Sequence, residues 1–229
     1  MELKSKRLRI IPLTIEQMAL LCQSREKLET VLGLVSNEFI EIRDEHLNTA
    51  YDEMRRSCEA HPRDYLWYTN WQIILKDENK SIGSIGFMGP ANERHETEIG
   101  YGIDEAYRNQ GYAAEALQKM CEWAFSQENV YYIQAKIESD PINIPSKKVL
   151  VKCGFIKTGS EEEKAELLFE LEKPKSSFVS IYMCLGLSIG MYIGTSFDNI
   201  AIGMCIGISI GVALGAALDE SDKNKRKRN

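Results

Sequence analysis

The chain has 229 residues, of which 44% are apolar and 27% are charged. These fractions match those of soluble globular proteins and exclude a wholly disordered chain. The first 172 residues carry 21 basic against 30 acidic residues, a balance that argues against nucleic acid as a partner and favours a cationic one, such as an amine.

The cysteines and histidines do not form a metal-binding pattern. There are six cysteines and three histidines, with no C-x-x-C pair and no spacing typical of zinc ligands. The sequence therefore predicts no metal site. Reduced cysteines in a protein that faces the cytosol are expected.

The first predicted elements are a strand and two helices. The segment Lys6–Leu13 is typical of an opening strand, which Pro12 ends. Thr14, with Gln17 three positions later, has the pattern of a capping box and predicts a helix start. A second helix is predicted over Asp44–Glu59, before His61-Pro62.

The middle of the chain alternates strands with helices. Helices are predicted over Gly111–Ser126, whose apolar residues recur at 3-4 spacing, and over Ile144–Lys152, which Cys153-Gly154 closes. This alternation predicts an α/β (α+β) layered fold. The predicted strands are Tyr65–Lys76, Ser81–Met88, Glu96–Ile103, Val130–Ser139, Phe155–Thr158 and Leu167–Leu171.

One loop has the composition of an anion-binding site. The stretch Arg108-Asn-Gln-Gly111-Tyr-Ala113 joins the predicted strand Glu96–Ile103 to the long helix. Gly111 and the small Ala113 allow a ligand to approach the backbone closely. The first turn of the helix offers unpaired N–H groups at the positive end of its dipole. Together these features predict a diphosphate-binding site that needs no metal.

The loop is also the first of two motifs that resemble a known family. Arg108-x-x-Gly111-x-Ala113 resembles the acetyl-CoA loop of the GCN5-related N-acetyltransferase (GNAT) superfamily, and Asn143-x-x-Ser146 followed by Lys152-Cys-Gly-Phe155 resembles its second signature. The opening Arg7–Thr14 and the strand Glu98-Ile-Gly-Tyr101 are similar to the branch that acetylates the N-terminal amines of ribosomal proteins. The resemblance extends over most of residues 3 to 172.

The resemblance implies a fold, a co-substrate and a set of site residues. The implied fold is a mixed, mostly antiparallel central sheet flanked by helices, and the implied co-substrate is acetyl-CoA. In this fold two neighbouring strands splay near Tyr101, whose backbone N–H is expected to polarise the thioester carbonyl. The residues expected to bind the co-substrate are Ile103, Arg108, Asn109, Gln110, Gly111, Tyr112, Ala113, Asn143 and Ser146.

The resemblance also suggests a general base and shows one departure from the family pattern. Glu98 is the candidate base that deprotonates the acceptor amine; the alternative is an ordinary surface carboxylate. Leu150 stands where many members carry a tyrosine that protonates the leaving thiolate, so solvent or Ser146 remains for this role. The departure keeps a second hypothesis open, in which the domain is a catalytically silent acyl-CoA-binding module serving as a scaffold.

The composition changes abruptly after the predicted catalytic domain, residues 1–172. Residues 173–177 form a linker, residues 178–218 a hydrophobic hairpin, and residues 219–229 a charged tail. Phe178–Phe197 and Ile200–Leu218 contain no charge, and each is long enough for a helix of roughly 30 Å, the thickness of a bilayer core. Basic residues flank the hairpin outside and none lies in its turn, so both ends are expected at the cytoplasmic face of a membrane.

Glycines recur every four residues in both apolar stretches. This spacing is typical of helices that pack closely in lipid. The same spacing also produces a large/small alternation, which is a strand pattern, but a 19-residue strand would exceed the usual length of about 3 to 10. A soluble, glycine-packed oligomerisation module is the alternative to a membrane hairpin. The glycines are Gly186, Gly190 and Gly194 in the first stretch and Gly203, Gly207, Gly211 and Gly215 in the second.

Overall fold

A computed structural model describes residues 1–36, 45–138, 144–161, 166–174, 178–197 and 199–225 of the chain. The chain divides into two compact units, Met1–Lys173 and Pro174–Asn229. Asn143, which the sequence places in the second motif, and Asp198, in the predicted turn of the hairpin, lie outside the described residues.

The first unit contains eight strands and five α-helices in its described residues. The strands are β1 (Leu3–Lys4), β2 (Leu8–Pro12), β3 (Trp71–Leu75), β4 (Lys80–Phe87), β5 (Glu96–Ile103), β6 (Tyr132–Glu138), β7 (Ile156–Glu161) and β8 (Glu166–Glu172). The helices are α1 (Ile15–Gln23), α2 (Arg25–Val31), α3 (Glu45–Ala60), α4 (Tyr112–Phe125) and α5 (Ile144–Lys152).

The strands form one sheet in the order β1-β2-β3-β4-β5-β6-β8-β7. Among the described strands, β5 and β6 form the one parallel pair, and the others pair antiparallel. The connection from β5 to β6 runs through α4, since a parallel neighbour needs a crossover. The prediction of a mixed, mostly antiparallel sheet with flanking helices is confirmed.

Helices cover both faces of the sheet. On one face, Leu117 and Met120 of α4 pack in a core cluster with Ile99 of β5. On the other face, the methyl group of Met54 in α3 lies 3.7 Å from the position that a Cβ would take on Gly86 of β4. Because neighbouring residues of a strand point to opposite faces, Glu98 faces away from α4.

The helix start at Thr14 agrees with the prediction. The Thr14 hydroxyl accepts a hydrogen bond from the N–H of Gln17, and the Gln17 side chain accepts one from the N–H of Thr14. The structure adds a second helix directly after the first, because Ser24 ends α1 and its side chain caps α2. The predicted bounds Glu96–Ile103 and Ile144–Lys152 coincide with β5 and α5.

The predicted strand Tyr65–Lys76 is wrong in its first half. Tyr65–Trp67 forms a short 3₁₀ turn, and the strand begins only at Trp71. The Trp67 ring packs against Phe87 and Trp123, with ring centroids 5.0 and 4.6 Å apart. This aromatic packing overrides the strand preference of the individual residues.

The second unit is a pair of antiparallel helices, α6 (Phe178–Ser196) and α7 (Ile200–Lys225). The glycine stripes of the two helices face each other: a Cβ added to Gly207 would lie 2.0 Å from the carbonyl oxygen of Gly186, and one added to Gly203 would lie 2.2 Å from that of Gly190. Contact this close between two backbones requires glycine. The apolar stretches are therefore helical, and the strand pattern in them is a by-product of the spacing.

The outward-facing surface of the helix pair is apolar. Tyr192 and Phe197 are each 77% exposed, and isoleucines along both helices are about half exposed. Phe178–Ser196 and Ile200–Ser221 are long and apolar enough to cross a membrane, by length and composition. At the open end of the pair, the Asp219 carboxylate accepts a hydrogen bond of 2.8 Å from the N–H of Phe178.

Candidate functional site

The parallel pair β5 and β6 opens into a gap. The two strands pair only at Glu96, Thr97 and Glu98, opposite Tyr132, Ile133 and Gln134. Both strands continue for several residues beyond this point. The backbone groups of β5 that follow Glu98 and point away from β4 therefore face a space where the sheet has no ladder.

The Tyr101 amide faces this gap. The hydrogen bonds from the Met88 N–H to the Glu98 carbonyl and from the Asp104 N–H to the Ile82 carbonyl set the register between β4 and β5. In an antiparallel ladder of this register, Ile85 and Tyr101 are a non-hydrogen-bonded pair. The N–H of Tyr101 consequently points away from β4, toward the side of β6.

The Tyr101 side chain connects β5 to α5. Its phenol donates a hydrogen bond of 3.2 Å to the backbone carbonyl of Ser146. Burial raises the pKa of the Tyr101 phenol above its ordinary value, so the group is neutral. The contact brings together two residues that the sequence motifs name 45 positions apart, and it fixes the first turn of α5 beside the gap.

The loop before α4 has the geometry of an anion site. Asn109 and Gly111 have φ angles of 61° and 82°, both in the left-handed region, and Gly111 is the N-cap of α4. A Cβ added to Gly111 would meet a single group within 4 Å, a terminal nitrogen of Arg7 at 3.5 Å. The backbone at the N-cap of this 14-residue helix can thus be approached from the side of Gly111.

The side chains of the loop point in different directions. Arg108 is turned back onto its own loop, where its Nε donates to the Ile103 carbonyl at 3.0 Å. Tyr112 is 9% exposed and belongs to the core, so only its backbone remains for a ligand. Gln110 is exposed and Ala113 is half-buried.

Glu98 lies beside the gap on the face opposite to α4. Its side chain is 32% exposed, and its carboxylate forms an ion pair of 2.9 Å with Nζ of Lys136 on β6. Glu96, the preceding residue on this face, is 8% exposed and accepts a hydrogen bond from the Asn92 side chain. Glu98 is therefore the more accessible of the two carboxylates.

The structure adds two ion pairs that the motifs do not predict. Lys136 pairs with Glu98, and Arg7 pairs with Glu115 in the first turn of α4, with 2.8 Å between Nε and Oε2. Leu150, at the position of the missing tyrosine, is fully buried in the core. Among the described residues, no group of three or more potential ligands could hold a metal ion.

Comparison with protein families gives two matches. Residues 7–156 match the family described as "Acetyltransferase (GNAT) domain". Residues 172–221 match the family described as "Glycine zipper membrane protein". The first match includes the strand gap and the loop before α4, and the second includes α6 and most of α7.

Individual proteins agree with the first match. The uncharacterized N-acetyltransferase YjdG of Bacillus subtilis is 40% identical over 89 residues, which are 39% of this chain and 52% of that protein. The chain spans about half the length of the curated relatives that it matches first, such as YjdG and the p20 protein of Bacillus licheniformis.

Solved structures show the same fold. The ribosomal-protein-S5-alanine acetyltransferase of Vibrio fischeri superposes with a TM-score of 0.54 and 16% identity, over 76% of this chain and 97% of the other. Mycobacterium smegmatis RimJ, solved in complex with CoA-disulfide, gives a TM-score of 0.52 and 20% identity, over 72% and 81%. At sequence identities of 16% and 20%, the similarity to these structures shows the fold alone.

Proposed function

The chain belongs to the GNAT acetyltransferase family, and from this premise we propose that it is an N-acetyltransferase that moves an acetyl group from acetyl-CoA to a primary amine. The acceptor is the N-terminus of a protein or a small-molecule amine. The observation that carries the proposal is the gap between β5 and β6, where the Tyr101 N–H and the Glu98 carboxylate border the same opening. The open N-terminus of α4 follows β5 in the chain.

The donor would be held mainly by backbone groups. The diphosphate of acetyl-CoA fits the first turn of α4, because unpaired N–H groups and the helix dipole attract anions. Gly111 leaves room for this approach. The pantetheine arm would then run into the gap, bordered by Ile103 on β5 and by Ser146 on α5, with Asn143 beyond the described residues.

The chemistry at the gap is a direct transfer. The amine nitrogen forms a bond to the acetyl carbon, the carbon–sulfur bond breaks, and coenzyme A leaves as a thiolate. The Tyr101 N–H stabilises the negative charge that develops on the carbonyl oxygen. Glu98 accepts the proton of the amine, directly or through water, and solvent or Ser146 protonates the thiolate because Leu150 is apolar and buried.

Gly111→Val tests the donor site. Valine is strained at a φ of 82°, and its branched side chain would fill the space at the start of α4. The dissociation constant for coenzyme A is expected to rise at least tenfold, because the loss of one charge-assisted contact already has that effect. Isothermal titration calorimetry measures it.

Gly33→Val is the matched control for this variant. Gly33 has a φ of 65°, and a Cβ added there would meet nothing within 4 Å. The control therefore introduces a similar backbone strain without filling the proposed diphosphate site. Its affinity for coenzyme A is expected to equal that of the wild type. An unchanged affinity in Gly111→Val would contradict the placement of the diphosphate.

We further propose that the helix pair α6 and α7 tethers the enzyme to the cytoplasmic face of a membrane. The glycine-zipper match, the two apolar helices and their exposed isoleucines support this assignment. Inside a bilayer these side chains would contact lipid, whereas in water they would form an unusually large apolar surface. The positive-inside rule supports the orientation, since Lys173 precedes the pair and Lys223 and Lys225 follow its apolar part.

Truncation after Lys173 tests the tether. The first unit has its own core and ends at this residue, so it is expected to appear in the soluble fraction with its transferase activity intact. The full chain is expected in the membrane fraction, released by detergent and not by high salt. A full chain that stays soluble as an oligomer would support a soluble packing module instead.

A further inference from the structure

The start of α4 contains a charge that conflicts with anion binding. Glu115 lies in the first turn of the helix, within a few ångströms of the N–H groups proposed above to hold a diphosphate. An unpaired carboxylate at this place would repel the phosphates of the donor. Its charge must therefore be balanced if the site is to work.

Arg7, just before β2, balances this charge. The Arg7 backbone N–H and its Nε donate to the two carboxylate oxygens of Glu115, both at 2.8 Å, and the Ser5 hydroxyl donates at 2.7 Å. Burial alone would raise the pKa of Glu115, but these hydrogen bonds and the charge of Arg7 outweigh it and hold the pKa below its ordinary value. Glu115 is thus ionised and paired.

The same guanidinium also holds the glycine turn. Its Nη1 donates to the Gln110 carbonyl at 3.0 Å, and its Nη2 is the group nearest to the open side of Gly111. Its Cζ lies over the Tyr112 ring, 4.4 Å from the ring centroid. The Arg7 backbone is fixed in turn, since its carbonyl accepts from the Lys76 N–H at 3.0 Å.

We propose that Arg7 is a positioning residue for the diphosphate of the donor. It fixes the Gln110–Gly111 turn in its binding geometry and cancels the negative charge of Glu115 at the start of α4. The inference rests on the proposed function, because it requires the donor diphosphate to bind at this turn. It concerns donor binding and leaves the chemical step to the residues at the gap.

Arg7→Met tests the inference with two acetyl donors. Acetyl-CoA carries the diphosphate, whereas S-acetylpantetheine lacks it. In steady-state kinetics of the full chain, Arg7→Met is expected to raise the KM for acetyl-CoA about tenfold and to leave kcat within about twofold. The KM for S-acetylpantetheine is expected to stay at its wild-type value, since that donor does not reach the turn.

Three further variants make the test specific. Arg9→Met is the matched control, because Arg9 lies two residues further along the chain, on β2, with an equally exposed side chain that pairs with Glu2 instead, and this variant should behave as the wild type. Glu115→Gln combined with Arg7→Met should recover part of the lost acetyl-CoA affinity, because the unpaired carboxylate is gone. Arg7→Lys, which keeps the charge but not the fork of donors, should give an intermediate KM and serves if Arg7→Met does not fold.

Two results would overturn the inference. One is an acetyl-CoA KM of wild-type value in Arg7→Met; the other is an equal rise in KM for both donors, which would indicate a general structural role. A failure of the proposed donor site gives a different pattern. In that case the wild type itself would show no preference for acetyl-CoA over S-acetylpantetheine.

Discussion

Replacing Glu98 by glutamine is expected to lower kcat about 100-fold, the usual contribution of a positioned general base. The amide keeps the shape of the side chain but cannot accept the proton of the acceptor amine. The KM for acetyl-CoA is expected to change little, because Glu98 faces away from α4. Release of free thiol, followed with and without amine, measures both constants.

Glu170→Gln is the matched control for this substitution. Glu170 on β8 lies opposite Gln134, which lies opposite Glu98, so the three side chains form a row on one face of the sheet. The Glu170 carboxylate accepts a hydrogen bond from Gln134 at 3.3 Å. Glu170→Gln removes one carboxylate charge from this face of the sheet, as Glu98→Gln does, but it keeps the proposed base. Undiminished turnover in Glu98→Gln would remove Glu98 from its role.

Replacing Gly207 by alanine is expected to separate the two helices of the hairpin. The added methyl group would lie 2.0 Å from the Gly186 carbonyl oxygen and 2.8 Å from the Gly190 Cα, so neither backbone can keep its place. Overpacking in well-packed cores costs about 1–3 kcal/mol, and here the contact is with backbone, which cannot rotate away. A loss of stability at the upper end of this range is expected.

Spin labels on α6 and α7 measure this separation. Ser188 and Ser209 are exposed, and labelled cysteines at these positions, in a chain without its native cysteines, report the distance between the helices. In detergent micelles, Gly207→Ala should lengthen and broaden the distance distribution. Ala213→Ser, on the exposed side of α7, should leave it unchanged. An unaltered distance in Gly207→Ala would refute the close packing of the glycine stripes.

Local signals explain most of what the sequence predicts. Three patterns in the sequence each span about four residues: the glycine spacing, the Thr14 capping box and the Gly111 loop. Over so short a span, residue propensity and helix geometry determine the local structure. The strand Glu96–Ile103 and its candidate residues follow from the motif that contains them. The fold class then follows from the order of the elements.

The contacts that the sequence does not predict all join distant segments. The ion pair of Glu98 with Lys136 depends on the register of the parallel pair β5 and β6, and that of Arg7 with Glu115 joins residues 108 positions apart. In the sequence, Arg7 cannot be distinguished from the neighbouring Lys6 and Arg9. Such partners are set by how strands align across a sheet, which a one-dimensional pattern does not contain.

The position of β8 has a consequence for biosynthesis. This strand is the last of the sheet to be translated, yet it lies between β6 and β7 and pairs with β6 over seven residues. A nascent chain that stops before Glu166 leaves that side of β6 unpaired. Open strand edges recruit other chains, so the ribosome must complete residue 172 before the first unit is protected from aggregation.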